Sequence, residues 1–444
     1  MNETAPLTHR RVLTIALPIV LSNATVPILG VVDTGVVGQL GEAAPIGAVG
    51  IGAIILSAIY WIFGFLRMGT TGLTSQAAGA GDADEVDALF ARAMLIGIGA
   101  GLVIIAAQVL IFHGAFWVSP ASAAVESLAR DYMTIRVWSA PATIALYGIT
   151  GWLIAQERTR AVLIIQVGMN GCNIGLSYFL GLKLGWGVSG VAWATFIAEW
   201  GGLALGLWYC RGVFTRTAWR SAARVFDTVR LKHMALVNSD ILIRSVLLQA
   251  IFISFLFYGS DFGDVQLAAN QILMQFLQVT GHALDGFAFA AEALVGQALG
   301  ARARSAVRRS AVLSSLWGAV ICIVLASSFA VFGGTVIDIL TTAPDVRAAS
   351  RVYLPYMIAA PILGWAAWML DGIFIGATRT KDMRNMMIVS TIVYFACVIP
   401  LMAVLENHGL WIGMLISFVV RGATLAIRYP ALEAAADSKP IAAS

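Results

Sequence analysis

Between Arg92 and Glu126 the chain carries no aspartate, glutamate, lysine or arginine, and the same holds between Arg309 and Asp338 and between Arg384 and Glu406. Such stretches are longer than a soluble core helix needs, whereas about 20 apolar residues in a helix cross the hydrocarbon core of a bilayer. Only 12% of all residues are charged while 59% are hydrophobic. A soluble domain carries about a quarter charged residues, because its apolar core must be covered by a hydrated surface. A soluble globular protein is therefore excluded. An outer-membrane barrel would alternate apolar and polar positions in segments of about ten, so these long unbroken runs predict an all-α integral membrane protein.

Apolar stretches broken by polar clusters place twelve transmembrane helices, near residues 12–38, 46–78, 89–113, 131–155, 160–182, 187–210, 233–258, 265–298, 309–333, 350–376, 385–405 and 409–430. His9-Arg10-Arg11 before an apolar run imitates a signal peptide, but the run continues through Pro27 and Ile28 to Val37 without an A-x-A cleavage pattern. It is read as the first membrane helix. Basic residues crowd the even-numbered loops: Arg211 to Lys232 after helix 6, Arg302 to Arg309 after helix 8, and Arg379, Lys381 and Arg384 after helix 10. The odd loops carry few, such as Arg130, Lys183 and Arg347. That bias places both termini in the cytoplasm and the protein in the inner (cytoplasmic) membrane as a multi-pass chain. The acidic cluster from Asp82 to Asp87 falls on the same side, where acidic residues contribute little to orientation.

The chain also repeats itself. Shifted by 221 residues, Gly38 meets Gly259, Gln76-Ala77 meets Gln297-Ala298, Gly79 meets Gly300, Arg130 meets Arg351, Tyr132 meets Tyr353, Gly151 meets Gly372 and Thr159 meets Thr380, in one ungapped register. Polar coincidences of this kind are not a by-product of an apolar composition. The reading is two six-helix lobes, 1–212 and 232–444, the second ending in a short cytoplasmic tail, joined by a cytoplasmic linker at 213–231. An even number of helices per lobe makes the repeats parallel, and transporters place a central cavity at such an interface. The linker's other plausible role is contact with the membrane surface.

Several chemistries are absent. The four lysines, Lys183, Lys232, Lys381 and Lys439, never follow a glycine, so no GK[ST] phosphate loop exists. There is no HExxH and no GxSxG, the five histidines do not pair, and Cys172, Cys210, Cys322 and Cys397 lie far apart without a CxxC. The chain reads as no enzyme, with no cofactor and no metal site. Its formal charge of +4 argues against nucleic acid, leaving small-molecule substrates and the bilayer as partners of a monomer. Uphill movement would draw on an ion gradient.

Ionisable residues inside membrane spans are expensive and are functional candidates by default. Asp33 lies in helix 1, too deep for its short side chain to snorkel, and reads as the residue through which an ion gradient acts; the bland alternative is a packing pair, with Arg67 as partner. Asp285 and Glu292, seven residues apart on one face of helix 8, and Asp371 in helix 10 are candidates to line a cation-attracting cavity. Glu292 could equally pair with a basic residue near the cytoplasmic end. Glu199, Arg244 and Arg421 read first as structural pairing partners. Prolines at 18, 27, 141, 361 and 400 permit kinks, and Pro18, fifteen residues before Asp33 on the same helix, is the hinge candidate. Pro141 and Pro361, one residue off the repeat register, suggest a bend shared by helices 4 and 10.

Three runs, Val32-Asp33-Thr34, Leu284-Asp285-Gly286-Phe287 through Gly296, and Leu370-Asp371-Gly372-Ile373 through Thr380, resemble the multidrug and toxic compound extrusion (MATE) family, specifically its DinF-like branch. The resemblance spans essentially the whole chain. It implies a V-shaped, twelve-helix antiporter that exports organic compounds in exchange for protons or sodium. The family's ion site in the amino-terminal lobe maps onto Asp33, onto Asn173 in helix 5 and onto Thr195 in helix 6, and its bending proline onto Pro18. Four residues after the asparagine the family commonly has aspartate; this chain has Ser177, which leaves a single carboxylate in the site. The function expected is proton-coupled, rather than sodium-coupled, export of small amphipathic or cationic compounds by alternating access. The alternative, a lipid-linked saccharide flippase, would expose a cationic groove, and a structural or receptor protein would give no reason for Asp33 or for the duplication.

Overall fold

The computed structural model describes residues 7–39, 43–118 and 122–437. The expected cytoplasmic termini and tail fall at 1–6 and 438–444, outside the described residues. The helices are α1 (His9–Ala24), α2 (Val26–Gly38), α3 (Ala43–Ile62), α4 (Gly64–Gly79), α5 (Ala83–Val118), α6 (Ala123–Arg136), α7 (Ala140–Ala155), α8 (Thr159–Leu176), α9 (Gly187–Tyr209), α10 (Ala222–Val225), α11 (Thr228–Ser260), α12 (Asp264–Gly300), α13 (Arg304–Leu340), α14 (Pro344–Gly376), α15 (Thr380–Leu405) and α16 (Asn407–Ala434).

Each apolar stretch of the sequence is helical, and three of the twelve are divided. The first breaks at Thr25, the second at Phe63 and the fourth over Val137–Ser139, which tightens into a 3₁₀ turn. Proline explains two of these breaks. Pro27 has no N–H to offer the carbonyl of Asn23 and its ring collides with it; Pro141 does the same to Val137. Pro18 lies inside α1, which runs on to Ala24, and Pro361 and Pro400 lie inside α14 and α15. The bend expected in both helices 4 and 10 thus becomes a 3₁₀ interruption only in the former.

Among the described residues, ten helical stretches are long and apolar enough to cross a membrane. The divided first helix and the amide-rich α12 fall outside that group. Large apolar side chains cover the outside, with Val404 79%, Leu110 78% and Ile427 77% exposed. In water this would be an aggregating surface; against acyl chains it costs nothing.

The 221-residue repeat extends to geometry. Helices start at 43 and 264, at 83 and 304, at 123 and 344, and at 159 and 380; they stop at 79 and 300 and at 155 and 376. Gly81 and Arg302 both take a left-handed backbone, as do Glu157 and Thr378. Two copies of one supersecondary plan therefore share even their turn conformations.

The described residues divide into two compact units: those within 7–20, Ser75–Gly81 and 232–437, and those within Leu21–Thr74 and Asp82–Leu231. The first packs Phe255 against Trp411 at 4.5 Å between ring centroids, with Tyr394, Phe418 and Met357 buried around them. The ends of α4 and α12 cross here. A Cβ on Gly79 would strike the carbonyl of Gln297, and one on Gly300 would strike that of Gln76. The crossing is tight because both matched positions lack a side chain. A fully buried amide pair, Asn270 with Asn407, exchanges hydrogen bonds of 2.7 and 3.0 Å, and the Trp411 Nε1 donates to the Asn270 Oδ1 at 2.9 Å. Buried amides in a membrane need such closure.

In the second unit, the basic linker folds onto the acidic start of α5. Arg216 pairs with Asp87 at 3.1 Å, Arg224 with Asp82 at 3.0 Å, and Arg230 with Glu85. Buried Arg92 pairs with Glu85 at 2.7 Å and donates to the carbonyls of Val225 and Arg224. The acidic cluster, neutral in the topology argument, is the linker's docking surface.

Candidate functional site

Asp33 sits half-buried on α2. Opposite it, α8 widens into π-helical geometry over Ser177–Lys183, with the N–H of Leu184 reaching the carbonyl of Phe179. Such widening is rare and concentrates at functional sites, because it re-aims side chains within a helix. Ser177, its first residue, donates to the Asp33 Oδ1 at 3.1 Å and lies 3.4 Å from the Asn173 Oδ1. A hydroxyl has one proton, and the nearer carboxylate is the stronger acceptor.

Asn173 in turn donates to the Thr195 Oγ1 at 2.7 Å, and Thr195 donates to the carbonyl of Val191 at 3.1 Å. The four residues named from the sequence therefore form one polar cluster, in which Ser177 donates to the Asp33 carboxylate, Asn173 donates to Thr195, and Asn173 Oδ1 stands as the alternative acceptor for the Ser177 proton. Asn173, Ser177 and Thr195 are buried, so little else competes for these groups. The side chain of Thr34 lies outside the described residues.

Sequence reasoning named Glu199 as a pairing partner but missed Arg136, which completes a charged frame beside this cluster. Arg136, on α6, pairs with Glu199 of α9 at 2.9 Å and donates to the Tyr132 hydroxyl at 2.7 Å. The Tyr60 hydroxyl donates to the Arg136 carbonyl at 3.2 Å. An arginine in a membrane helix opposite a glutamate two helices later was the available signal.

A second polar group on α8 was also missed. Asn170, three residues before Asn173, donates to the Thr25 Oγ1 at 2.8 Å, and Gln166 donates to the Asn170 Oδ1 at 3.0 Å. Thr25 is the residue at which the first helix breaks.

The remaining acids belong to the other unit. Asp371 is buried, ion-paired with Arg244, and 3.8 Å from the Arg421 Nε. Arg421 also lies over the rings of Trp368 and Phe418. Glu292 is buried and Asp285 half-buried on α12. Asp240, absent from the sequence reading, accepts from Arg384 at 2.6 Å and from Thr380 at 3.1 Å.

The comparisons with known proteins converge on one family. The MatE family model matches the chain twice, over residues 18–179 and 241–404. The chain is 36% identical to DNA damage-inducible protein F of Escherichia coli (strain K12), over 93% of this chain and 90% of that one. It is 23% identical to the probable multidrug resistance protein NorM of Pasteurella multocida (strain Pm70), over 97% and 95% respectively. The fold matches the crystal structure of the Vibrio cholerae MATE transporter VcmN in the bent form, with a TM-score of 0.88 over 97% of this chain and 98% of that one at 17% identity. With a twice-matched family model, a relative above one third identity along almost the full length, and an all-helical membrane architecture repeated in register, this chain belongs to the MatE family of multi-pass membrane transporters, in the branch of DNA damage-inducible protein F.

Proposed function

We propose that the chain is a proton-coupled antiporter that exports small amphipathic or cationic organic compounds by alternating access. The observation that carries this reading is the hydrogen bond from Ser177 to the Asp33 carboxylate, beside the hydrogen-bonded Asn173 and Thr195. It is a site at which one charge can appear or vanish inside a membrane helix.

With Asp33 ionised, Ser177 donates to it and ties α2 to α8. A proton arriving from outside removes the charge, the serine loses its strongest acceptor, and α2 is free to repack. An ion drives such a change only through its different affinity for the two states, which is what a group held differently in each provides. The proton is favoured over sodium because the site offers a single carboxylate, already taking the Ser177 proton, and the Thr195 hydroxyl oxygen already accepts from Asn173. The role of exported compounds in this cycle is to bind the state in which Asp33 has released its proton.

The test is dye efflux from proteoliposomes under an imposed pH gradient and, separately, a sodium gradient. Efflux driven by the pH gradient and lost in Asp33→Asn supports the reading; efflux driven by sodium alone at constant pH sinks its ionic half. Asp285, Glu292 and Asp371 are the proposed cavity acids, and their amide variants should weaken cationic dyes more than neutral ones. The lobes are proposed to divide as 1–212 and 232–444 around the 213–231 linker. The proposed setting is the inner membrane with both termini in the cytoplasm, where a reporter fused after Ser444 and active only in the periplasm should stay silent. For the flippase alternative, a cationic groove is the requirement, and the arginines near Asp371 are buried rather than displayed.

A further inference from the structure

We propose that Asn170 is a positioning residue for the coupling step: its amide latches the break in the first membrane helix at Thr25–Pro27, which makes that break the hinge on which α2 moves. This rests on the reading of Asp33 as the coupling group.

The break begins as a backbone problem. Pro27 removes the N–H that the Asn23 carbonyl would accept, so α1 ends at Ala24 and α2 begins at Val26. At the break, Thr25 is bonded both locally and to α8. Its N–H reaches the Ser22 carbonyl at 3.1 Å and its hydroxyl donates to that same carbonyl at 2.7 Å. The hydroxyl oxygen then accepts from the Asn170 Nδ2 at 2.8 Å, and the Thr25 carbonyl lies 3.4 Å from the same nitrogen. Asn170 is 4% exposed, and Gln166 fixes which way its amide points.

The position of Asn170 on its helix gives the latch a consequence. Gln166, Asn170, Asn173 and Ser177 fall at i, i+4, i+7 and i+11, one stripe along a single helical face. That stripe holds α2 at two points, at its start through Thr25 and at Asp33 through Ser177. The two points are eight residues apart, about 12 Å along a helix. A rigid segment held at both ends by one neighbour responds to release at one end by turning about the other. Loss of the Asp33 charge frees the Ser177 end, and the latched break is the compliant end. A buried amide that served packing alone would have no reason to sit on the interrupted residue.

The experiment uses the full-length chain in lipid nanodiscs and proteoliposomes, with Asn170→Ala, the nearly isosteric Thr25→Val, the hydroxyl-preserving Thr25→Ser, and Asp33→Asn in parallel. Hydrogen exchange of peptides covering residues 20–30 reads the latch, and dye binding and gradient-driven efflux read the coupling. Asn170→Ala and Thr25→Val should raise exchange in that segment and slow maximal efflux about three- to tenfold, the range one hydrogen bond commands, with dye affinity unchanged within about twofold. Thr25→Ser should behave as the native chain. Unchanged exchange in both latch variants overturns the latch, and raised exchange with normal efflux, or a serine variant as slow as the valine one, overturns its role in coupling. An Asp33→Asn chain that exports normally overturns the coupling reading and this proposal with it, whereas normal latch variants beside an inactive Asp33→Asn overturn this proposal alone.

Discussion

Ser177 donates to the Asp33 carboxylate at 3.1 Å while the Asn173 Oδ1 waits at 3.4 Å on its other side. A hydroxyl with one proton and two acceptors reports which acceptor is charged. With Asp33 ionised the proton belongs to the carboxylate; with Asp33 neutral, the amide oxygen is an equal claimant. Serine at this position does not titrate; in the proposed coupling it passes a change in the charge of Asp33 into α8.

Two substitutions separate these roles. Asp33→Asn should fold and bind dye yet abolish accumulation against a gradient. Ser177→Ala should retain coupling with a rate reduced by about three- to tenfold, the worth of one hydrogen bond. Efflux from proteoliposomes measures both, and equal losses in the two variants would place the charge-sensing group on Ser177's partners rather than on Asp33 alone.

Arg136 and Glu199 pair inside the membrane with side chains 10% and 12% exposed. Removing one partner leaves the other charge buried and should cost about 3–5 kcal/mol, whereas an apolar pair of similar volume should recover much of it. Thermal unfolding in detergent should therefore rank Arg136→Met and Glu199→Leu singly below the double variant. A double variant less stable than either single one would mean that the ion pair contributes more than its burial costs.

Pro18 and Pro27 occupy different situations on one predicted helix. Pro18 stands inside the unbroken α1, and Pro27 opens α2. Pro18→Ala should slow turnover with little change in dye affinity, as expected of a bending proline. Pro27→Ala restores a backbone N–H at position 27 and should close the break, slowing turnover further. Maximal efflux rates rank the two, and the reverse order would move the hinge to Pro18.

Asp227 begins α11 outside the membrane span, and the Arg230 N–H bonded to it at 3.0 Å holds its carboxyl below the usual range. A value depressed in the folded state means stabilisation that is present above the ordinary carboxylate value of about 3.9 and lost as pH falls through the lower folded value. Asparagine caps helices well but carries no charge. The first turn of α11 should exchange more slowly in the native chain than in Asp227→Asn near neutral pH, and the two should converge in acid. Parallel exchange curves would remove the charge from the cap.

The positions of the apolar helical stretches were legible in the sequence, because bilayer thickness converts directly into a length of apolar chain, but their limits and the breaks at Thr25, Phe63 and Val137–Ser139 were not. The repeat was legible for a related reason. Identities such as Gln76 with Gln297 and Thr159 with Thr380 mark places where the backbone does the same thing twice, and the helix limits later fell in that register. The residues proposed as the coupling site were reachable through the family pattern, and Asp33 through its depth alone.

What only the tertiary structure decided was partnership. That Glu199 answers Arg136, that Asp371 answers Arg244, and that the acids at the start of α5 receive the linker depend on which helices lie side by side, information that an apolar pattern does not encode. The break at Thr25 was half visible, since Pro27 announces a lost hydrogen bond. Which residue meets the break could not be read from sequence, because Asn170 is 145 residues away and reaches Thr25 only when α8 packs against the first helix.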